Sequence, residues 1–568
     1  MRRLTLMTAL LGLTVLVAPT ALAARPKLTV APRYGKALMP RAWQPVTVTI
    51  TNPADGAAFT GEVALMHGGN TWSTPVSLAA GASVATVTLN IYERPEMGTW
   101  LQHKVILRST RGEIVSEMSW SPATRPERVL PVLVISKDGA PGEWARFDGQ
   151  ASGLHHASGR LVPARPRGVP RDELPEEDYF AIVTTTPNQL TEQAGELDPF
   201  GIVAVEPGVT LSEAQKGALS RWRIAGGAAV TSSGIPDFAR LVAPRNYVAS
   251  LRSNALLEQE IPEGSIQKTG RQLFPEVLKT SGVQAPPFST IVLFLGAYLI
   301  AVVPLQYSIL RRLDKREWAW GTTPLLAFGF TAGAYFVGNQ GRERSVTYNC
   351  AAVIETGAGQ KTGAAVARFG LYSPTRATYS LAAPTTDTVF FSSVGDQPSL
   401  ESQQLPGKAT RLPDFSVPQW AMRSVSLHTT NLSLGNGIEA QLKREGELLT
   451  GTITNNTGAL LENVQVYYGG GRAQFATLSP GQSQLVHFTC NYSDVIDLGF
   501  QGAAYYAPLL ATTLDTLVEF PYEAQRKDEA MITAFTREEL VPVRVEGVAA
   551  TAKNINNALI IHAPVDAP

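Results

Sequence analysis

Few residues in this 568-residue chain have types and spacings that could do chemistry. Ser232 and Ser233, within VTSSG, follow an apolar run as a hydrolytic serine would. The first glycine of a G-x-S-x-G elbow is missing there, so a turn accounts for them better. His155 and His156 form the one adjacent histidine pair, with no third ligand at a fixed spacing, and a loop is expected. Glu173, Glu176, Glu177 and Asp178 cluster near prolines. General acid–base work needs a positioned, partly desolvated pair, and a solvated loop explains this run better. Cys350 and Cys490 are the only cysteines. In an exported segment they could form a disulfide; two separate buried thiols are the alternative, and the one favoured. No phosphate-binding loop or zinc motif occurs. The expected catalytic, metal and cofactor set is therefore none.

The elements that hold these residues are more telling. Residues 288–310 (FSTIVLFLGAYLIAVVPLQYSIL) carry no charge, and neither do residues 318–337 (WAWGTTPLLAFGFTAGAYFV). Each is long enough to cross a hydrocarbon core as a helix, which takes about 20 residues. Pro304 falls inside the first run and is expected to kink it. Between the runs, RRLDKRE places Arg311, Arg312, Lys315 and Arg316 in a tight turn. Short loops rich in Lys and Arg stay in the cytoplasm, so these four cations set the topology and put both flanks outside. The N-terminus agrees. Arg2 and Arg3 precede an apolar stretch at 4–17, and Ala21-Leu22-Ala23 is a cleavage signal.

Lys plus Arg and Asp plus Glu each number 48, so net charge is zero. A nucleic-acid protein would carry a basic field, so none is expected as a partner. Short alternating runs at 45–52, 61–67, 74–78, 83–92, 104–109 and 114–119 predict a β-sandwich. From residue 130 the pattern changes. Continuous apolar runs at 130–136, 180–184 and 201–205 predict strands buried on both faces. Thr210-Leu211-Ser212-Glu213 reads as a capping box. A helix should follow to about Ala225, with Leu211, Ala214, Ala218, Leu219 and Trp222 on one face. Gly226-Gly227 then stops it before a parallel strand at 228–232. The loops after Ser136, Thr184 and Val205 would line a crevice at the strand carboxyl ends. Residues 342–568 read as β again, with YYGGGR a hairpin tip at Gly469–Gly471.

Three patterns carry resemblances. Leu-Ser-x-x-Gln-x-x-Ala-Leu-x-x-Trp-x-x-x-Gly-Gly, from Leu211 to Gly227, resembles the helix and turn of class I glutamine amidotransferase-like domains in bacterial membrane proteins. Pro-Leu-x-Tyr-x-x-Leu-Arg-Arg-Leu-x-Lys-Arg-Glu-x-x-Trp, from Pro304 to Trp320, is similar to their central hairpin. The first sandwich resembles immunoglobulin-like modules of bacterial surface proteins, and Gly451 to Val466 resembles the opening strands of bacterial sandwich modules. The resemblance implies fold and topology. Glutaminase chemistry needs a cysteine nucleophile, and no cysteine lies between residues 24 and 349, so the amidotransferase-like domain is degenerate.

The expected order is a signal peptide (1–23), an immunoglobulin-like β-sandwich (24–125), a small α/β domain (128–250) and a linker (251–287). A helix (288–310), a cytoplasmic turn (311–317) and a helix (318–338) form the transmembrane hairpin. An extracytoplasmic β-sandwich-rich region (339–568) follows. The expected location is the bacterial inner membrane, with the lipid bilayer and an envelope protein as partners. The leading functional expectation is a non-catalytic envelope scaffold or interaction protein. The alternative is a divergent hydrolase using the α/β crevice. Two spans without ionisable residues argue against a transport path.

Overall fold

The computed structural model describes residues 25–39, 43–67, 70–92, 103–124, 129–157, 160–163, 177–224, 228–230, 288–340, 344–383, 385, 388–391, 400–405, 409–490 and 529–566. Of residues 92, 124, 151–157, 160–163, 177–178, 224, 228, 230, 337–340 and 391 only the backbone is described. Most of it is β-sheet, in several units.

Alternation builds the first sandwich. Strand Trp43–Asn52 buries Val46, Val48 and Ile50 and turns Thr47, Thr49 and Thr51 outward. It pairs antiparallel with Lys27–Pro32 and Ser83–Tyr92. Asn52 closes it, its amide donating to Ala57 O at 3.0 Å and Ala79 O at 2.8 Å. The facing sheet runs in the order Asn70–Leu78, Phe59–His67, His103–Ser109, Ile114–Trp120. Trp43, Trp72, Leu65 and Leu107 fill the space between. All six strands expected here are present.

The second unit is a mixed sheet. Strands Glu177–Thr185, Val129–Ile135, Ile202–Val205 and Ala228–Val230 lie parallel in that order. Ala151–Ala157 and Arg160–Pro163 extend one edge antiparallel. His155 and His156 therefore sit on a strand and not in a loop, and Glu177 and Asp178 begin one. Helix Glu213–Ile224 returns between the last two parallel strands and buries Ala218, Leu219 and Trp222.

The helix start differs from expectation by two residues. Ser212 Oγ accepts from Gln215 N–H at 3.1 Å, and Gln215 Oε1 accepts from Ser212 N–H at 2.9 Å. That reciprocal pair is the true capping box. Gln215 also donates to Pro187 O at 2.6 Å and Leu190 O at 3.2 Å. It thereby takes the buried position expected for Ala214, which is exposed. The expected Gly226-Gly227 stop lies outside the described residues.

The third unit is an eleven-stranded sheet. Thr347–Gly357, Thr362–Ser373 and Ala421–Ser433 pair antiparallel in that order. The long strand Thr551–Asp566 lies parallel to Thr347–Gly357 and antiparallel to Glu529–Thr536. It also meets Ile438–Glu445 at Leu442 and Lys443. Strands Leu461–Tyr468 and Gly471–Leu478 form a hairpin over Gly469 and Gly470, both at positive φ. Glycine suits that two-residue loop because it has no Cβ to clash there.

The separation expected between the two outer regions is corrected by the structure. Strand Leu400–Gln403 lies parallel to Asn70–Ser73 of the first sandwich. Through it, Arg411–Val417, Ala377–Ala382 and Arg544–Glu546 join the first sandwich's facing sheet, giving eight continuous strands. Val366 and Val389 enter the core around Trp43 and Trp72. Segments from before and after the apolar helices thus share one sheet.

The apolar helices run over Phe288–Ile300, Gln306–Arg312 and Ala319–Gln340. Pro304 lies in a π-helical turn, Ala301–Leu305, joining the first two into one rod. Proline lacks an N–H and crowds the preceding turn, and a local widening accommodates it. Phe288–Arg312 is 25 residues long, and its most apolar 18-residue stretch has mean hydropathy 2.3, enough to cross a membrane. Among the described residues it is the one helix that passes on both counts. Gly321, Thr322, Thr323, Pro324 and Thr331 lower the hydropathy of the second. The first rod ends with Asp314 at φ 51° and Lys315 N–H donating to Leu310 O at 3.0 Å. This is a left-handed cap closing back on the last turn.

Candidate functional site

The described turns at the strand carboxyl ends are held by their own hydrogen bonds. Ser136 is buried; its N–H donates to Thr185 O at 3.1 Å and its hydroxyl to Ala140 O at 2.8 Å. Asp138 accepts from Ala140 N–H at 2.9 Å, and that bond holds its carboxyl below the ordinary range. Gly142 has φ 53°, and a Cβ there would stand 2.5 Å from Glu206 Oε1. Ser232 and Ser233 lie outside the described residues.

A polar junction sits where all three units meet. The segment before the first long strand crosses the α/β unit. Tyr34 joins the core of Leu133, Ile135, Leu197 and Phe200, and its hydroxyl accepts from Thr191 N–H at 3.0 Å. Burial raises its pKa. Arg33 pairs with Glu196 at 3.1 Å. Asp198, at the end of the short helix Ala194–Leu197, accepts from the Trp43 backbone. Its carboxyl is raised by desolvation, and a charge on His428 would pull it back. Burial lowers His428, with Asp198 acting against the shift. The His428 ring stacks on Trp43, centroids 6.1 Å apart.

A second polar cluster pins the shared sheet. Arg108 pairs with Glu62 at 2.9 Å and with Glu401 from beyond the helices. Gln404 donates from its backbone to Ser73 O at 2.7 Å. Its amide donates to Asn90 O at 2.8 Å and accepts from Asn90 N–H at 3.0 Å. Both clusters join units. Among the described residues no group of three or more His, Cys, Asp or Glu side chains converges as metal ligands.

The apolar helices carry a further polar feature. Gln306, the only carboxamide in its uncharged run, is buried. Its Nε2 donates to Thr322 Oγ1 at 2.6 Å and Thr323 Oγ1 at 2.9 Å. Hydropathy counts it as one polar residue among many apolar ones, so its role escaped the sequence reading. Asp198, His428 and Gln404 carry no local sequence signal at all.

Arg311 and Arg312 close the first rod, Lys315 lies over the Trp318 ring at 5.4 Å, and Arg316 opens the next turn. Cys350 and Cys490 are free, buried thiols, so the disulfide considered from sequence is not formed. Cys350 lies inside the eleven-stranded sheet, opposite Phe369, and Cys490 follows the edge strand Ser483–Thr489.

Residues 437–566 match the model of a family described as a domain of unknown function (DUF8725). No curated protein matches the chain. Among solved structures, the yeast delta-COP-I mu-homology domain complexed with a Dsl1 WxWxV peptide aligns at 9% identity and TM-score 0.21. The alignment covers 39% of this chain and 98% of that one. The same yeast domain alone aligns at 8% identity and TM-score 0.20, with the same coverage. A β-glucosidase, DesR, from Streptomyces venezuelae aligns at 11% identity and TM-score 0.08, over 80% of this chain and 47% of that one.

Proposed function

We propose that this chain is a membrane-anchored extracytoplasmic scaffold or interaction protein of the bacterial cell envelope, without catalytic activity. In this reading the leader is removed and the hairpin crosses the inner membrane twice. Arg311, Arg312, Lys315 and Arg316 lie in the cytoplasm. The first sandwich is immunoglobulin-like and the α/β unit is a degenerate amidotransferase-like domain.

The observation that carries the reading is the parallel pairing of Asn70–Ser73 with Leu400–Gln403. Strands that share hydrogen bonds lie on one side of a membrane. A chain that crosses between them crosses an even number of times. If Phe288–Arg312 spans, Ala319–Gln340 must return. At about 1.5 Å per residue its 22 residues reach roughly 33 Å, which matches a hydrocarbon core. The polar junctions favour scaffold over enzyme, because their charged groups are spent on holding units together.

Cysteine pairing tests the layout. Thr71 and Glu401 are register partners, so Thr71→Cys with Glu401→Cys should form a disulfide in intact cells. A cysteine at Asp314 should be labelled only once the cytoplasm is opened; labelling from outside overturns the topology. For the scaffold role, crosslinked and solubilised membranes should yield the same partner repeatedly. Recovery of none counts against it.

A further inference from the structure

The eight-stranded sheet ends in the short strand Arg544–Glu546, which pairs with Ala377–Ala382 on its inner side. Ala382 is the register partner of Arg411 on one side and of Arg544 on the other. Register partners in antiparallel strands point to the same face of a sheet. Two arginines therefore flank one alanine in a single row, across about 9–10 Å of backbone. A methyl group stands between two long cationic side chains, so the middle of the row is a notch.

The notch opens into a cavity of about 390 Å³. Arg411, Arg544 and Glu546 stand around it, and Leu405, Ala409 and Pro542 supply apolar wall. A few polar groups converging in a mostly apolar concavity of this size is the usual build of a small-molecule site.

Charge decides which molecule. Two guanidiniums and one carboxylate line the cavity, a net of +1. The carboxylate is already committed. Glu546 accepts from Ser380 Oγ at 2.7 Å on one oxygen and from Arg411 Nη2 at 2.9 Å on the other. The second bond holds Arg411 beside the cavity with its remaining N–H groups unspent. Arg544 is exposed and makes no ion pair or hydrogen bond among the described residues. A guanidinium presents its N–H groups as a planar fork that matches a carboxylate. A neutral apolar molecule would meet only the wall, and a bare ion only the cations. An acid with an apolar body meets both.

We propose that this cavity binds a small amphipathic carboxylate, with its head between Arg411 and Arg544 over Ala382 and its apolar body against Leu405, Ala409 and Pro542. The site goes beyond the scaffold reading and is independent of how often the chain crosses a membrane.

The test uses the purified full chain in phosphatidylcholine vesicles, titrated with hexanoate by ligand-observed NMR against empty vesicles. At about pH 7 the acid is ionised. Hexanamide and acetate are the comparisons. Hexanoate should bind about tenfold tighter than hexanamide, because only the acid makes charge-assisted bonds. It should also bind about tenfold tighter than acetate, which lacks the apolar body. Arg544→Gln, which removes no partner from the described residues, should cost hexanoate about tenfold and leave hexanamide unchanged. Ala382→Leu fills the notch and keeps both arginines, and should abolish hexanoate binding. Arg111→Gln, at an exposed turn of the first sandwich, should change nothing.

Equal binding of hexanoate and hexanamide overturns the proposal. So does acetate or inorganic phosphate binding as tightly as hexanoate, which makes the arginines a general anion patch, or an affinity unchanged by Arg544→Gln. If Ala382→Leu fails to fold by circular dichroism, Arg544→Gln decides alone. N-acetyl-leucine separates two sources of the same head, and binding of either acid supports the site. Tighter binding than hexanoate assigns the carboxylate to the end of a peptide, and weaker binding assigns it to a free acid.

Discussion

The Trp43 and His428 rings stack with planes 4° apart and centroids 6.1 Å apart, although the apolar helices separate the two residues in the chain. Trp43 also meets Trp72 edge-on at 6.3 Å. One side chain thus belongs to the first sandwich's core and to the contact with the third unit.

Trp43→Ala should therefore loosen two regions together. Removing a buried tryptophan costs about 3–5 kcal/mol. Amide exchange should accelerate both in Trp43–Asn52 and in Ala421–Ser433. Acceleration confined to the first strand would show that the stacked contact carries no coupling.

The same junction should give the protein an acid-sensitive limb. Burial holds His428 below its ordinary 6.5. Between its folded value and 6.5, the unfolded chain binds a proton that the folded chain refuses. Stability from this group is full above 6.5 and is lost as pH falls through the folded value. Asp198 has the opposite sign. Its carboxyl is held above 3.8, mainly by desolvation, so its contribution is full below 3.8 and is lost as pH rises through the folded value. Urea midpoints at about pH 7 and pH 5 should differ less in His428→Asn than in the native chain. An unchanged difference would remove His428 from the account.

The seam across the shared sheet should show coupling between residues 293 positions apart. Arg108 bridges Glu62 and Glu401, all three partly shielded from water. In a double-mutant cycle, Arg108→Ala and Glu401→Ala should couple by about 0.5–2 kcal/mol. Additive losses would mean the ion pair merely decorates the strand pairing.

The two cysteines should be silent in the folded protein. Burial pushes the Cys350 thiol up to about 12 and raises Cys490 as well. Alkylation depends on the thiolate, so iodoacetamide at about pH 8 should label neither until denaturant is added, and then both. A failure to label after unfolding without reductant would reveal a disulfide.

Local physics made much of this legible in advance. Val46, Val48 and Ile50 alternate with threonines, and such a pattern can bury one face only as a strand. Residues 130–135 are apolar on both faces and therefore need layers on both sides. The helix start was misplaced because Thr210 and Ser212 both offer a capping hydroxyl. Gln215 decided between them by bonding to a distant loop. The seam was invisible for a different reason. Leu400–Gln403 is a four-residue strand of mixed polarity, and nothing within it specifies Asn70–Ser73 as its neighbour.

By itself, then, the sequence determined the kinds of element present, the two uncharged runs and their basic turn, because periodicity and charge are local properties. Only the tertiary structure decided that the two flanks share one of their sheets. It alone brought Trp43, Asp198 and His428 together and buried Gln306 against Thr322 and Thr323. Those outcomes depend on which surfaces find one another across hundreds of residues, and strand pairing and burial satisfy that choice globally.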